Sequence, residues 1–128
     1  MYRLLVIDDD SMMLKMLQRT LKSEGFEVFG RSTGEAGVQC ALADKPDLVV
    51  LDVNLPDIEG HEVCRRLKEA PQAKHIPVIM LTGEARALDS RVLGLEVGAE
   101  AYLFKPISIP LLSARIKALL KITSKPNK

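Results

Sequence analysis

Three consecutive acids, Asp8-Asp9-Asp10, stand directly after the apolar run Leu4-Leu5-Val6-Ile7, and a further acid, Asp52, directly after Leu48-Val49-Val50-Leu51. Thr82 closes the run from Ile76 to Leu81, and Lys105 follows Ala101 to Phe104. If such carboxylates converge to about 4 Å at an effective dielectric near 20, each pair repels by roughly 4 kcal/mol before screening. A hard divalent cation relieves that repulsion, and Mg²⁺ commonly binds through one or two carboxylates while keeping several waters. Asp8 and Asp9 are therefore expected to hold the metal, Asp9 the more directly, with Asp52 beside them and the backbone carbonyl of Asn54 completing the shell. An aspartate carboxylate is also a nucleophile toward phosphorus. Asp52 is the choice for that part, because it ends the most buried run and so sits centrally and rigidly. Phosphoryl transfer asks mainly for positioning and charge neutralisation. The metal can take one phosphoryl oxygen, the Lys105 ammonium a second and the Thr82 hydroxyl a third.

Those residues can meet only if the elements before them lie side by side. Short apolar runs alternate along the chain with helical patterns. After the first acids, Ser11 can cap a helix with apolar positions Leu14, Leu17 and Leu21, which Gly25 is placed to end, and Asp10 is the other capping or surface residue. Phe26 to Phe29 reads as a strand, Gly34 to Asp44 as a helix, and Leu48 to Leu51 as the wholly apolar strand that the middle of a parallel sheet needs. A helix near His61 to Glu69, a strand from Ile76 to Leu81 and a helix marked by Leu88, Val92 and Leu95 follow. The strand Ala101 to Phe104 and a last helix bearing Leu112, Ile116 and Leu119 complete the pattern, with Pro110 tolerable in its first turn. Five strand–helix units with such short connections predict an α/β fold: a doubly wound parallel sheet covered by helices on both faces. Ligands of such sheets bind at the carboxyl ends of the strands, where the strand order reverses. Asp8, Asp9, Asp52, Thr82 and Lys105 all fall at such ends.

The chain has 128 residues, of which 47% are hydrophobic and 27% charged, which suits one compact domain and neither disorder nor a membrane protein. Lys plus Arg number 18 against 17 Asp plus Glu, so no general attraction to nucleic acid or to an anionic membrane arises. Cys40 and Cys64 stand in helical segments without a second Cys or His at ligand spacing, and read as free thiols in burial-prone positions suited to a reducing cytosol. Met1-Tyr2-Arg3 runs straight into a short strand, too little for a signal peptide, and a cytoplasmic location is expected.

The strings Val6-Ile7-Asp8-Asp9-Asp10, Leu51-Asp52-Val53-Asn54-Leu55-Pro56-Asp57, Leu81-Thr82-Gly83 and Tyr102-Leu103-Phe104-Lys105-Pro106 resemble the receiver domains of two-component response regulators. The likeness covers nearly the whole chain, giving a receiver domain over 1–123 and a tail or linker start over 124–128. It implies a flavodoxin-like sheet of order 2-1-3-4-5 with five helices. It implies as well that Asp52 accepts a phosphoryl group from the phosphohistidine of a sensor histidine kinase or phosphotransfer protein. That reaction is Mg²⁺-dependent and self-catalysed, with slow autodephosphorylation, so the protein is a switch and not an enzyme. The change is expected to pass through Thr82 and Tyr102 to the surface of the fourth helix, fifth strand and last helix, which controls an output domain or partner protein. A phosphorylation-dependent homodimer is left open. Asn54 and Glu84, two residues past Asp52 and Thr82, are expected to influence the lifetime of the phosphorylated state. The Lys105-Pro106 bond is often cis in this family.

Other groups take plainer readings. His61 and His75 lie away from strand ends and are expected on exposed helix and loop positions. Met12, Met13 and Met16 fit core or partner-facing gaps. Arg115, Lys117, Lys121, Lys125 and Lys128 read as the solvated face of the last helix and a soluble tail, without direct nucleic-acid binding. An aspartyl-phosphate hydrolase would carry a second acid two residues after its nucleophile, where this chain has Asn54. A purely scaffolding module would have no need of the complete acid set.

Overall fold

Leu48, Val49, Val50 and Leu51 are all fully buried, the condition of a strand covered on both faces. A computed structural model describes residues 1–83 and 97–121 of the chain. The elements run β1 (Arg3–Ile7), α1 (Ser11–Ser23), β2 (Glu27–Arg31), α2 (Gly34–Asp44), β3 (Leu48–Asp52), α3 (Gly60–Glu69), β4 (Val78–Thr82), β5 (Ala101–Phe104) and α4 (Ile109–Leu119). The strands form one parallel sheet in the order β2-β1-β3-β4-β5, the doubly wound α/β arrangement expected. Four helices are described among these residues instead of five. The helix expected around Leu88, Val92 and Leu95 lies outside the described residues, as do Glu84 and the tail 124–128.

Successive strand residues point to opposite faces, and the core divides accordingly. Leu5, Ile7, Val49, Leu51, Val78 and Met80 pack on one side with Val38, Ala41, Val63 and Leu67 of α2 and α3. Leu4, Val6, Leu48, Val50, Ile79 and Leu81 pack on the other with Leu17 and Leu21 of α1 and Leu112 and Ile116 of α4. Truncating any of the wholly buried leucines to alanine should cost about 2–5 kcal/mol through lost transfer energy and the cavity left behind. On the first face α2 lies hard against β1: a Cβ on Gly37 would overlap the Ile7 side chain, so glycine lets the helix come close to the residue that precedes Asp8.

Several strand boundaries differ from the sequence reading: β2 covers Glu27–Arg31 instead of the expected Phe26 to Phe29, and β4 starts at Val78 instead of the expected Ile76. At the start of α1 it is Asp10, of the two capping candidates, that caps the helix, its Oδ1 accepting from the Met12 and Met13 amides at 3.0 and 3.2 Å. Asp52 and Thr82 are the last residues of their strands instead of the first residues after them. The ladder extends that far because Asp52 still pairs with Leu81 and Thr82 with Phe104.

Candidate functional site

Strand register is what gathers the polar residues. Ile7 pairs with Leu51, so Asp8 emerges level with Asp52, and Phe104 pairs with Thr82, so Lys105 emerges beside the end of β4. The Lys105 amide donates to the Thr82 carbonyl at 2.6 Å, and the Lys105-Pro106 peptide is cis. Asp8, Asp9 and Asp52 each offer a carboxylate oxygen, all within 4.8 Å of one another. Asp8 and Asp52 are buried, at 0% and 3% exposure, while Asp9 faces solvent. The Lys105 Nζ stands 3.3 Å from Asp52 Oδ2 and 3.6 Å from Asp8 Oδ2.

Among the described residues one ammonium faces three carboxylates, which leaves that set short of positive charge. Asp8 carries the consequence. Its Oδ1 accepts from the Asp10 amide at 2.9 Å, but its buried Oδ2 has no hydrogen bond among the described residues. Burial pushes the Asp8 carboxyl up to about 6, with the charges of Asp52 and Asp10 adding to the rise and the Asp10 amide and Lys105 opposing it. An unsatisfied buried oxygen among hard carboxylate donors is the chemistry of a site for a small divalent cation.

The loop after β3 is fixed from several sides. The Val53 amide donates to Leu81 O at 2.9 Å and the Gly60 amide to Val53 O at 2.8 Å. A Cβ on Gly60 would lie 2.4 Å from the Asp52 carbonyl oxygen, so glycine is needed for α3 to begin this close to the strand end. The Asn54 amide donates to Asp52 Oδ1 at 3.3 Å, which places Asn54 next to the acids as the spacing predicts. Thr82 is buried, and its hydroxyl donates to the Gly83 carbonyl at 3.2 Å. Tyr102 is half-buried in β5, its ring 6.4 Å from that of His61 and 6.0 Å from that of Phe104. Glu84 lies outside the described residues.

His61 corrects the sequence reading. It is buried, at 6% exposure, because α3 turns it toward the sheet and Tyr102. Its distance from the strand ends does not make it solvated: His61, Cys64 and Leu67 repeat at helical spacing and all are buried. His75 is exposed, as expected. Cys40 and Cys64 are buried free thiols, and burial pushes Cys64 up to about 11, so it stays protonated. Among the described residues no helix is long and apolar enough to cross a membrane.

Residues 4–117 match the family model of the response regulator receiver domain. The chain is 42% identical over 119 residues to the alkaline phosphatase synthesis transcriptional regulatory protein PhoP of Bacillus subtilis, a match spanning 93% of this chain and 48% of that protein. It is 39% identical over 122 residues to the response regulator PleD of Caulobacter vibrioides, spanning 93% of this chain and 26% of that one. The chain thus spans about half or less of the length of these relatives. Among solved structures, the CheY-like receiver domain protein from Methanospirillum hungatei superposes with a TM-score of 0.88 at 32% identity, covering 94% of each chain.

Proposed function

This chain belongs to the response regulator receiver family, and on that premise we propose that it is the phosphoacceptor of a two-component pathway, with Asp52 taking a phosphoryl group from a phosphohistidine. The observation that carries the reading is the pocket in which Asp8, Asp9 and Asp52 approach within 4.8 Å of one another beside Lys105. Asp8, Asp9, Asp52 and the main-chain carbonyl of Asn54 would hold Mg²⁺. Bound there, the ion neutralises the carboxylates and the charge that spreads over the phosphoryl oxygens.

The remaining work falls to the chain's own groups. An Asp52 carboxylate oxygen bonds to phosphorus as the donor's P–N bond breaks, and the imidazole nitrogen keeps the bonding pair. Lys105, now within 3.3 Å of Asp52, turns its ammonium to a phosphoryl oxygen. The Thr82 hydroxyl exchanges the Gly83 carbonyl for another, and Tyr102 moves inward into the space vacated. That is a local charge event biasing a two-state surface, here β5 and its flanking helices. Asn54 and Glu84 tune how long the acyl phosphate survives, by placing or excluding the attacking water.

The receiver domain spans 1–123, followed by a tail or linker over 124–128. Its setting is the cytoplasm, its donor a sensor histidine kinase or phosphotransfer protein, and its listener an output domain or partner, with a phosphorylation-dependent homodimer as one form of output. Asn54 in place of a second acid argues for a switch over a hydrolase. Incubation with Mg²⁺ and acetyl phosphate should yield one labile acyl phosphate per chain that EDTA prevents. Continuous release of phosphate without a modified chain would favour the hydrolase, and no reaction at all would favour a scaffold.

A further inference from the structure

The first turn of α2 has two backbone donors that its own N-cap does not reach. Thr33 caps the helix by accepting from the Ala36 amide at 3.1 Å, which leaves the Gly34 and Glu35 amides to find partners elsewhere. Both go to a single side chain from the loop after β3. Asp57 Oδ1 accepts from Gly34 N, and Asp57 Oδ2 from Glu35 N, each at 2.8 Å. The Glu35 and Gly34 amides hold the Asp57 carboxyl below its usual range.

The two bonds join the two limbs of the acidic pocket. On one side, α2 is pressed through Gly37 onto Ile7, the residue immediately before Asp8. On the other, Asp57 belongs to the loop that leaves Asp52, passes through Asn54 and ends where Gly60 meets the Asp52 carbonyl. The start of the loop is held by the Val53 amide and its end by Gly60. Asp57 anchors the stretch between them against the start of α2. We propose that Asp57 is a positioning residue for the cation pocket, its carboxylate fixing the Asn54 loop to α2 and so to β1, which Asp8 directly follows. This deepens the phosphoacceptor reading and rests on it. The packing of α2 against α3 has its own tie, Arg66 of α3 reaching Glu35 at 3.0 Å, so loss of Asp57 frees the loop without separating the helices.

The test compares Asp57→Ala, Asp57→Asn and Thr33→Ala in the full chain, with Mg²⁺ titrated by calorimetry, Mn²⁺ by electron paramagnetic resonance, and stability by urea. Asp57→Ala should weaken the affinity for both ions by about tenfold, as loss of an outer partner of a metal site commonly does. Asp57→Asn, which keeps one acceptor oxygen, should fall between Ala and the parent. Thr33→Ala removes a cap of the same helix without touching the loop, so its ion affinity should stay within about twofold of the parent while its urea midpoint drops. At saturating Mg²⁺ the Asp57 variants should recover most of their phosphorylation rate from acetyl phosphate. Unchanged ion affinity in both Asp57 variants, or an equal loss in Thr33→Ala, would overturn the proposal. If the parent chain neither bound Mg²⁺ nor took up phosphate, the phosphoacceptor reading itself would fail, whatever the variants did.

Discussion

Replacing Asp8 by asparagine should make the metal-free protein more stable, although it removes a residue from the centre of the pocket. The Asp8 carboxyl is raised from 3.8 to about 6, chiefly by burial. Between those values the folded chain holds a proton that the unfolded chain has released. The stability this lends is complete below the unfolded value of 3.8 and is lost as pH rises through about 6. A shift of about two units corresponds to on the order of 3 kcal/mol, at 1.36 kcal/mol per unit. The carboxamide introduced by Asp8→Asn stays neutral at every pH and keeps an oxygen for the Asp10 amide, which in the parent bonds Asp8 Oδ1 at 2.9 Å. In EDTA near pH 8, urea unfolding should therefore show Asp8→Asn more stable than the parent by roughly 2–3 kcal/mol, with the gain vanishing toward about pH 4. Mg²⁺ should first cancel and then reverse that order, since an ion at about 100 times its dissociation constant stabilises the folded parent by about 2.7 kcal/mol and at about 1,000 times by about 4.1 kcal/mol. A variant no more stable than the parent near pH 8, or a gain of equal size near pH 4, would refute the reasoning.

Other perturbations follow from the same pocket. Lys105→Met removes the ammonium that stands 3.3 and 3.6 Å from two of the proposed ligands, so Mg²⁺ should bind several-fold more tightly by calorimetry while phosphorylation slows; weaker binding would contradict the charge argument. Tyr102→Ala should leave uptake of phosphate intact and abolish the response of the partner or output surface; a variant unchanged in both respects removes the aromatic from the switch. Asn54→Ala and Glu84→Ala should each alter the rate of autodephosphorylation, followed as loss of the acyl phosphate, and no change in either would take both out of the site.

The layered architecture was legible because its signals are local. An unbroken apolar run marks β3, and α2 and β5 fall on the bounds that their apolar spacing predicts, Gly34–Asp44 and Ala101–Phe104. The convergence of Asp8, Asp9, Asp52 and Lys105 was legible at one remove, since a parallel sheet must bring its strand ends together. What escaped depends on contacts between distant residues. The burial of His61 rests on α3 turning it toward Tyr102 on the same face of the sheet, a contact that its position away from the strand ends did not reveal. Asp57 read as part of a loop motif, whereas its carboxylate caps a helix that begins 23 residues earlier in the chain, at Gly34. The sequence offers both Ser11 and Asp10 as caps of α1, and only the backbone geometry, which selects Asp10, distinguishes them.

Every proposed role in the pocket presupposes that Asp52 is the acceptor. The most direct measurement is peptide mapping by mass spectrometry after reaction with Mg²⁺ and acetyl phosphate, with borohydride reduction to mark the acyl phosphate. The parent should carry a single modified residue, Asp52, and Asp52→Asn should carry none. A phosphoryl group on another residue of the parent, or undiminished labelling of Asp52→Asn, would contradict it.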